Sequence, residues 1–255
     1  TFYVWNSSSL YNQTSVDVSG LSNSTSISIN FTKEDNYNWN CLFRDNLSAN
    51  NFASNNFTIT YDLTPPNLSV LSPANNSYSV GKFNITLNEN GSCMYSLNNG
   101  TTNFSMSAIN NQSFNATNST LVHDFNYTIR YYCNDSAGNA NNSAVRIFSA
   151  DSSMPNVTLL SPANGYGETA SSSTINFIYN VSDDKNVSEC SLILGNVINS
   201  TNRTVAQIEN QTFIVSLSSG SYTWSVNCTD VAGNIGNSSS RSLTITAPAS
   251  SPSTS

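Results

Sequence analysis

Only eight of the 255 residues are Lys or Arg, and they are dispersed along the chain. Nucleic acid or an anionic membrane surface requires a basic patch, so the sequence argues against both partners. No apolar run approaches the roughly 20 residues of a membrane span. There is one histidine, His123, beside Asp124. A nucleophile with its base would have to use it, and no G-x-S-x-G elbow accompanies it. The acids are scattered over turns and linkers rather than paired for glycoside hydrolysis. The chain therefore reads as a non-enzyme without a cofactor. No C-x-x-C spacing is present, which leaves zinc and dithiol redox chemistry without their usual ligands. With neither an initiator Met nor a signal peptide, the sequence is expected to be a processed product or a piece of something longer.

Charge is also scarce overall, at 9% of residues with a net of −7, and the polar remainder is mostly Asn, Ser and Thr. Disordered chains are usually rich in charge and poor in aromatics, whereas this one has 12 Tyr, 12 Phe and 3 Trp in alternating runs. It is expected to fold.

The alternation is organised by a repeated stretch. Tyr222-Thr-Trp224-Ser-Val226-Asn-Cys228-Thr-Asp230-Val-Ala-Gly233-Asn234 is echoed by Tyr127-Thr-Ile129-Arg-Tyr-Tyr-Cys133-Asn-Asp135-Ser-Ala-Gly138-Asn139, and more weakly by Tyr37-Asn-Trp39-Asn-Cys41-Leu-Phe-Arg-Asp45. Each copy alternates apolar and polar positions and reads as a half-buried strand ending in an Asp turn. A recurrence every ~90 to 95 residues is the period of a small β-sandwich. The boundaries fall at Asp62-Leu-Thr-Pro65-Pro66 and Asp151-Ser-Ser-Met-Pro155, each followed by near-identical text opening on Pro-Asn. Proline fixes φ and cannot enter a central ladder, so these linkers are expected to be short and stiff. The division is 1–62, 63–151, 152–247 and a Pro/Ser/Thr tail at 248–255.

Strands are expected at 2–5, 14–18, 25–31, 37–43 and 57–61 in the first unit. The second carries them at 82–87, 93–97, 126–132 and 144–148, with a polar stretch before 120. The third has 174–179, 190–194, 212–217, 222–228 and 242–246. In the later units a Pro-led strand, a second strand and a turn precede the strand matching 2–5; the first unit lacks them and is expected to be incomplete. Cys93 with Cys133 and Cys190 with Cys228 are like-placed pairs, which favours disulfides and an oxidising compartment; Cys41 is left over.

Cys93-Met-Tyr-Ser-Leu-Asn-Asn-Gly100 and Cys133-Asn-Asp-Ser-Ala-Gly-Asn139, with the Pro-led opening strand, resemble the immunoglobulin-like, fibronectin-III-like repeats of archaeal and bacterial cell-surface proteins. The resemblance covers nearly the whole chain. It implies an all-β fold of tandem immunoglobulin-like sandwiches in an extended array, the first incomplete, at the cell surface and without catalytic residues. Cys41 aligns with Val226 rather than Cys228, so the first unit departs from the disulfide pattern.

Asp45, Asp135 and Asp230 are read as turn residues whose carboxylates accept backbone N–H groups. The functional alternative is calcium, with Asp62, Asp151, Asp183 and Asp184 as oxygen donors; calcium takes 6 to 8 oxygens and no EF-hand spacing is present, so the reading taken is no metal. Tyr37, Tyr127 and Tyr222 stand where a tyrosine corner belongs, and Trp39 and Trp224 are read as core.

The strongest chemical signal is Asn-x-Ser/Thr, which occurs roughly 26 times. The sites include Asn23, Asn30, Asn56, Asn84, Asn103, Asn115, Asn156, Asn186, Asn202, Asn210 and Asn237. Abundant Asn, Ser and Thr generate matches by chance, yet a surface with so little charge needs another source of solubility, and N-glycans would supply it. Three functions compete: a glycosylated extracellular rod or filament subunit that associates with itself or with other segments of the same surface protein, an adhesin that grips glycans or another cell, and an accessory module of a secreted enzyme. The rod leads because most aromatics alternate into strands. The 25–31 strand is expected to lack its sheet neighbour, to be completed by β-augmentation from an upstream segment or a neighbouring subunit. The tail is a poor donor, interrupted by Pro248 and Pro252.

Overall fold

The computed structural model describes residues 1–20 and 23–249, and all regular structure among them is β. Residues 250–255, most of the expected tail, lie outside it. The first unit contains β1 (Phe2–Trp5), β2 (Leu10–Thr14), β3 (Asp35–Arg44), β4 (Asn50–Phe52) and β5 (Phe57–Tyr61). They form one sheet, β2-β1-β3-β4, with β5 also paired to β3.

The second unit contains β6 (Leu68–Ser72), β7 (Ser77–Ser79), β8 (Lys82–Leu87), β9 (Gly91–Ser96), β10 (Phe104–Ser105), β11 (Ser107–Asn110), β12 (Ser113–Thr117), β13 (Asn126–Asp135), β14 (Ala140–Asn141) and β15 (Val145–Ala150). One sheet runs β10-β9-β13-β15-β7 with β14 on β13, and the other runs β11-β12-β8-β6. The third unit contains β16 (Asn156–Ser161), β17 (Tyr166–Thr169), β18 (Ser172–Ser182), β19 (Val187–Leu194), β20 (Val197–Asn202), β21 (Gln211–Ser218), β22 (Gly220–Asp230), β23 (Ile235–Asn237) and β24 (Arg241–Thr246). Its sheets are β16-β18-β21 and β17-β24-β22-β19-β20, with β23 on β22.

Period-2 alternation sets which side chains enter each core. On β13 the buried apolar residues are Ile129, Tyr131 and Cys133; on β18 they are Ile175, Phe177, Tyr179 and Val181. The facing strands β8 and β12 bring Phe83, Ile85 and Phe114 into the second core. Trp224 and Val226 from β22 meet Phe177 and Phe213 in the third. Each core also contains a disulfide, Cys93–Cys133 and Cys190–Cys228. Both join residues directly opposite on adjacent strands of one sheet, β9 with β13 and β19 with β22, so neither staples the two layers together.

The strand order β2-β1-β3-β5 repeats as β10-β9-β13-β15 and as β20-β19-β22-β24. The first unit therefore has the aromatic-strand sheet and, among the described residues, no counterpart of the opposing sheet. Two expectations are corrected here. The 14–18 strand lies earlier, at Leu10–Thr14, and its ladder stops before the exposed Val16 and Val18. The segment 25–31 forms no strand, because a ladder needs a neighbour and its layer offers none. It is held through its end instead: the Phe31 ring lies tilted against that of Tyr37 with centroids 4.3 Å apart, and the Tyr11 hydroxyl donates to the Asn30 carbonyl at 2.7 Å. The polar stretch before 120 holds β10, β11 and β12, which sequence reading missed because Phe114 is the one fully buried anchor of β12.

Candidate functional site

The residues that sequence reading assigned to turns and linkers meet at the entry to each complete sandwich. β13 ends at Asp135, whose Oδ1 accepts the Asn139 amide at 2.8 Å. The Asn139 side chain donates back to Asp135 Oδ2 at 2.8 Å and to the linker carbonyl of Asp62 at 3.1 Å. One unit later Asp230 Oδ1 accepts from Ala232, Gly233 and Asn234 at 2.6–2.9 Å. Asn234 Nδ2 then donates to Asp230 Oδ2 at 2.7 Å and to the Asp151 carbonyl at 3.2 Å. Gly138 and Gly233 adopt φ +95° and +98°, conformations that L side chains rarely adopt. The Asp-x-x-Gly-Asn turn is thus a clamp that fixes the incoming linker. Asp45 accepts only from Leu47 and Ala49, and its turn has neither the Gly nor the Asn.

A second contact sits beside the clamp. Asn141 Nδ2 donates to the Pro66 carbonyl at 2.8 Å. The equivalent position is Gly236, where an added Cβ would fall 1.7 Å from the Pro155 carbonyl oxygen. One junction reaches its linker with a side chain, and the other lets the linker lie on bare backbone. Asn234→Ala is expected to cost about 1.5–3 kcal/mol, because it removes a hydrogen bond to a charged group and leaves the Asp151 carbonyl unpaired. Chemical denaturation of the wild type and the variant measures it.

Carboxylates converge at the same two places. Asp62, Glu89 and Asp135 each bring one oxygen within 4.8 Å of the others, and so do Asp151, Asp183 and Asp230. Burial pushes Glu89 above its ordinary pKa, and the charges of Asp62, Asp135 and Glu34 add to it. Burial likewise raises Asp151 and Asp183, reinforced by the neighbouring aspartates. Burial also pushes on Asp135, but the hydrogen bonds from Asn139 and the turn outweigh it and hold the carboxyl low.

The four acids grouped from sequence are therefore separated. Asp62 belongs to one trio, Asp151 and Asp183 to the other, and Asp184 turns elsewhere. Its carboxylate lies 3.1 Å from both His123 Nε2 and Lys185 Nζ. Lys185 also reaches Asp124 of the preceding sandwich at 2.6 Å and lies over the Tyr78 ring at 5.4 Å, so this ionic set ties the second and third units. His123, which the sequence places beside Asp124, faces Asp151 Oδ1 at 3.4 Å. Glu89 was missed. Its signal was positional: it follows β8 as Asp183 follows β18.

The tyrosines behave as a corner. Tyr37 and Tyr222 donate to carbonyls four residues upstream, Lys33 at 2.7 Å and Ser218 at 3.0 Å, while Tyr127 accepts from the Val122 amide at 2.9 Å. Trp224 is fully buried; Trp39 is half-buried and lies 4.7 Å from Phe57. Of the eleven sequon asparagines singled out, Asn23, Asn30, Asn56, Asn103, Asn156, Asn186, Asn210 and Asn237 are exposed. Asn84, Asn115 and Asn202 are half-buried, and Asn84 lies directly opposite Asn115 on paired strands.

Together these features define a tandem array of immunoglobulin-like sandwiches with clamped junctions. Among solved structures, the fibronectin(III)-like modules of Clostridium thermocellum CbhA are similar at 15% identity, with 71% of this chain and 94% of that chain covered and a TM-score of 0.48. The chicken CNTN1 FN1–FN3 domains are similar at 12% identity, with 83% and 78% covered and a TM-score of 0.43. The tandem Ig repeats of Dlar are similar at 10% identity, with 72% and 99% covered and a TM-score of 0.28. No protein-family model matches the chain, and no curated protein sequence matches it. No helix among the described residues is long and apolar enough to cross a membrane.

Proposed function

We propose that the chain is a structural, N-glycosylated segment of an extracellular surface protein, part of a filament or stalk assembled through β-strand complementation. The observation that carries this reading is the partly open face of the first unit's sheet, where Val4 and Tyr37 are buried but Phe43 and Ile59 are not. Phe43 and Ile59 occupy the face and register of Cys133 and Phe148 in the second unit. The latter two are 0% and 1% exposed, whereas Phe43 is 64% and Ile59 41% exposed. Apolar side chains that the other units bury under an opposing sheet are open here, and strands seated on them would complete both core and ladder. An extracellular setting agrees with the two disulfides and with a sequence poor in charge and rich in Asn-x-Ser/Thr.

Cys41, free and half-buried, shares this face with Tyr37 and Trp39 and so reports on its coverage. In the purified chain it is expected to react with a maleimide as a monomer and to be protected in a polymer seen by electron microscopy. A chain that stays monomeric at high concentration, with Cys41 reactive throughout, rejects assembly. Glycans are tested separately by intact mass and site mapping. Asn84 and Asn115, opposed at the ~5 Å spacing of cross-strand neighbours, are expected never to be occupied together on one molecule.

An adhesin is the second reading, favoured by a different surface. On the other face of the same sheet Tyr3 stacks on Trp5 at 5.6 Å and meets Phe52 at 5.5 Å, an aromatic platform of the kind sugars stack on. Glycan binding lost in Trp5→Ala would support it.

A further inference from the structure

The junction between the second and third sandwiches contains a buried carboxylate that its surroundings leave unsatisfied. The Asp151 side chain is fully shielded from solvent. Its Oδ1 accepts the Ser153 amide at 3.0 Å, while Oδ2 is buried with no hydrogen-bond partner. Leaving such an oxygen dry and unpaired is strongly unfavourable unless something compensates it. What surrounds it is more negative charge: a carboxylate oxygen of Asp183 and one of Asp230 lie within 4.8 Å. Of the nearby basic groups, Lys185 is engaged with Asp124 and Asp184, while His123 reaches Asp184 through Nε2 and lies 3.4 Å from Asp151 Oδ1 through an Nδ1 that accepts the Ser152 amide, so neither pairs with Oδ2.

We propose that Asp151, Asp183 and Asp230 form a calcium site that locks the linker to the third sandwich. The donor set is oxygen only, which suits a hard cation and disfavours zinc. A proton could neutralise one of the three carboxylates, whereas a divalent ion neutralises two charges and takes 6 to 8 oxygens, room that backbone carbonyls and water can share. Magnesium demands near-ideal octahedral geometry and keeps its waters, a poor match for a trio whose spare oxygen is already dry. Asp151 belongs to the linker, Asp183 to the loop after β18 and Asp230 to the end of β22, so one ion would tie three segments that meet only here. The Asp62, Glu89 and Asp135 trio repeats the arrangement one unit earlier but has no orphaned buried oxygen, and it serves as the internal comparison.

Calorimetry of the full chain with added calcium tests the proposal, and it is independent of the assembly and glycan readings. Calcium at millimolar level, the range in which extracellular modules bind it, is expected to raise the unfolding temperature by several degrees, with a smaller effect from magnesium. Asp183→Asn is expected to weaken calcium binding on the order of tenfold or more, since one charged ligand is lost. Asp183 accepts only the Lys185 amide, which an Asn oxygen can also accept, so the variant should fold. Glu89→Gln is expected to keep the response. No calcium shift in the wild type, or an undiminished one in Asp183→Asn, overturns the site. Should that variant fail to fold, limited proteolysis of the wild type decides: calcium should slow cleavage at exposed Ser152 and Met154, and equal cleavage with and without it overturns the proposal.

Discussion

Trp224→Ala is expected to destabilise the third sandwich by about 3–5 kcal/mol, the range for removing a large aromatic from a closed core. The indole is 1% exposed, meets the Phe177 ring edge-on at 4.9 Å and lies beneath Arg241, whose guanidinium is 5.9 Å from it. Arg241 is itself committed to the carbonyls of Leu159, Leu160 and Pro162, so it cannot fold down into the void. Thermal unfolding by calorimetry reads the change. Ile214→Ala, on the opposite face and 70% exposed, is expected to stay within about 0.5 kcal/mol. A small effect for Trp224→Ala would mean that the third core is not closed as described.

Replacing Cys190 and Cys228 together by Ala is expected to cost about 3–4 kcal/mol. The bond closes a loop with a sequence separation of 38, and freeing it returns that much conformational freedom to the unfolded chain. Both sulfurs lie in the core, so the variant also loses packing there. Denaturation of the oxidised protein with and without reductant, which opens Cys93–Cys133 as well, gives the combined effect of both bonds. Cys41→Ser changes no disulfide and is expected to leave the midpoint in place. Equal stability of oxidised and reduced protein would remove the bond from the account of the fold.

Much of this architecture was legible because each aromatic strand states its own face: Tyr127, Ile129, Tyr131 and Cys133 alternate with polar residues, as do Tyr222, Trp224, Val226 and Cys228. Strands with few anchors were hidden. β12 offers Phe114 among Ser, Asn, Ala and Thr, and its pairing with β8 comes from a partner distant in sequence. The 25–31 segment misled for the opposite reason, since its alternating Ile27, Ile29 and Phe31 describe a strand for which no neighbour exists among the described residues. The junction acids were visible as residues but not as sets. Nothing local to Asp184 distinguishes it from Asp183; the fold turns one to Lys185 and the other to Asp151. Glu89 became meaningful only when β8 and β18 proved equivalent in their sheets.

The two parallel pairings among the described residues have a bearing on how the chain would respond to being pulled. β7 runs parallel to β15, with Ser77 to Ser79 matched to Phe148 to Ala150, and β17 runs parallel to β24, with Tyr166 to Thr169 matched to Leu243 to Thr246. In each case one strand lies near the entry of the sandwich and the other at its exit. Tension applied along the chain drags the partners past each other lengthwise, so the hydrogen bonds of the patch resist together in shear rather than opening one at a time as in a peeled hairpin. In the first unit β5 has only β3 beside it, with no parallel partner among the described residues. Stretched from its two ends, a β5 held by β3 alone should part at lower force than the β15 and β24 strands, which have a parallel partner on their other side.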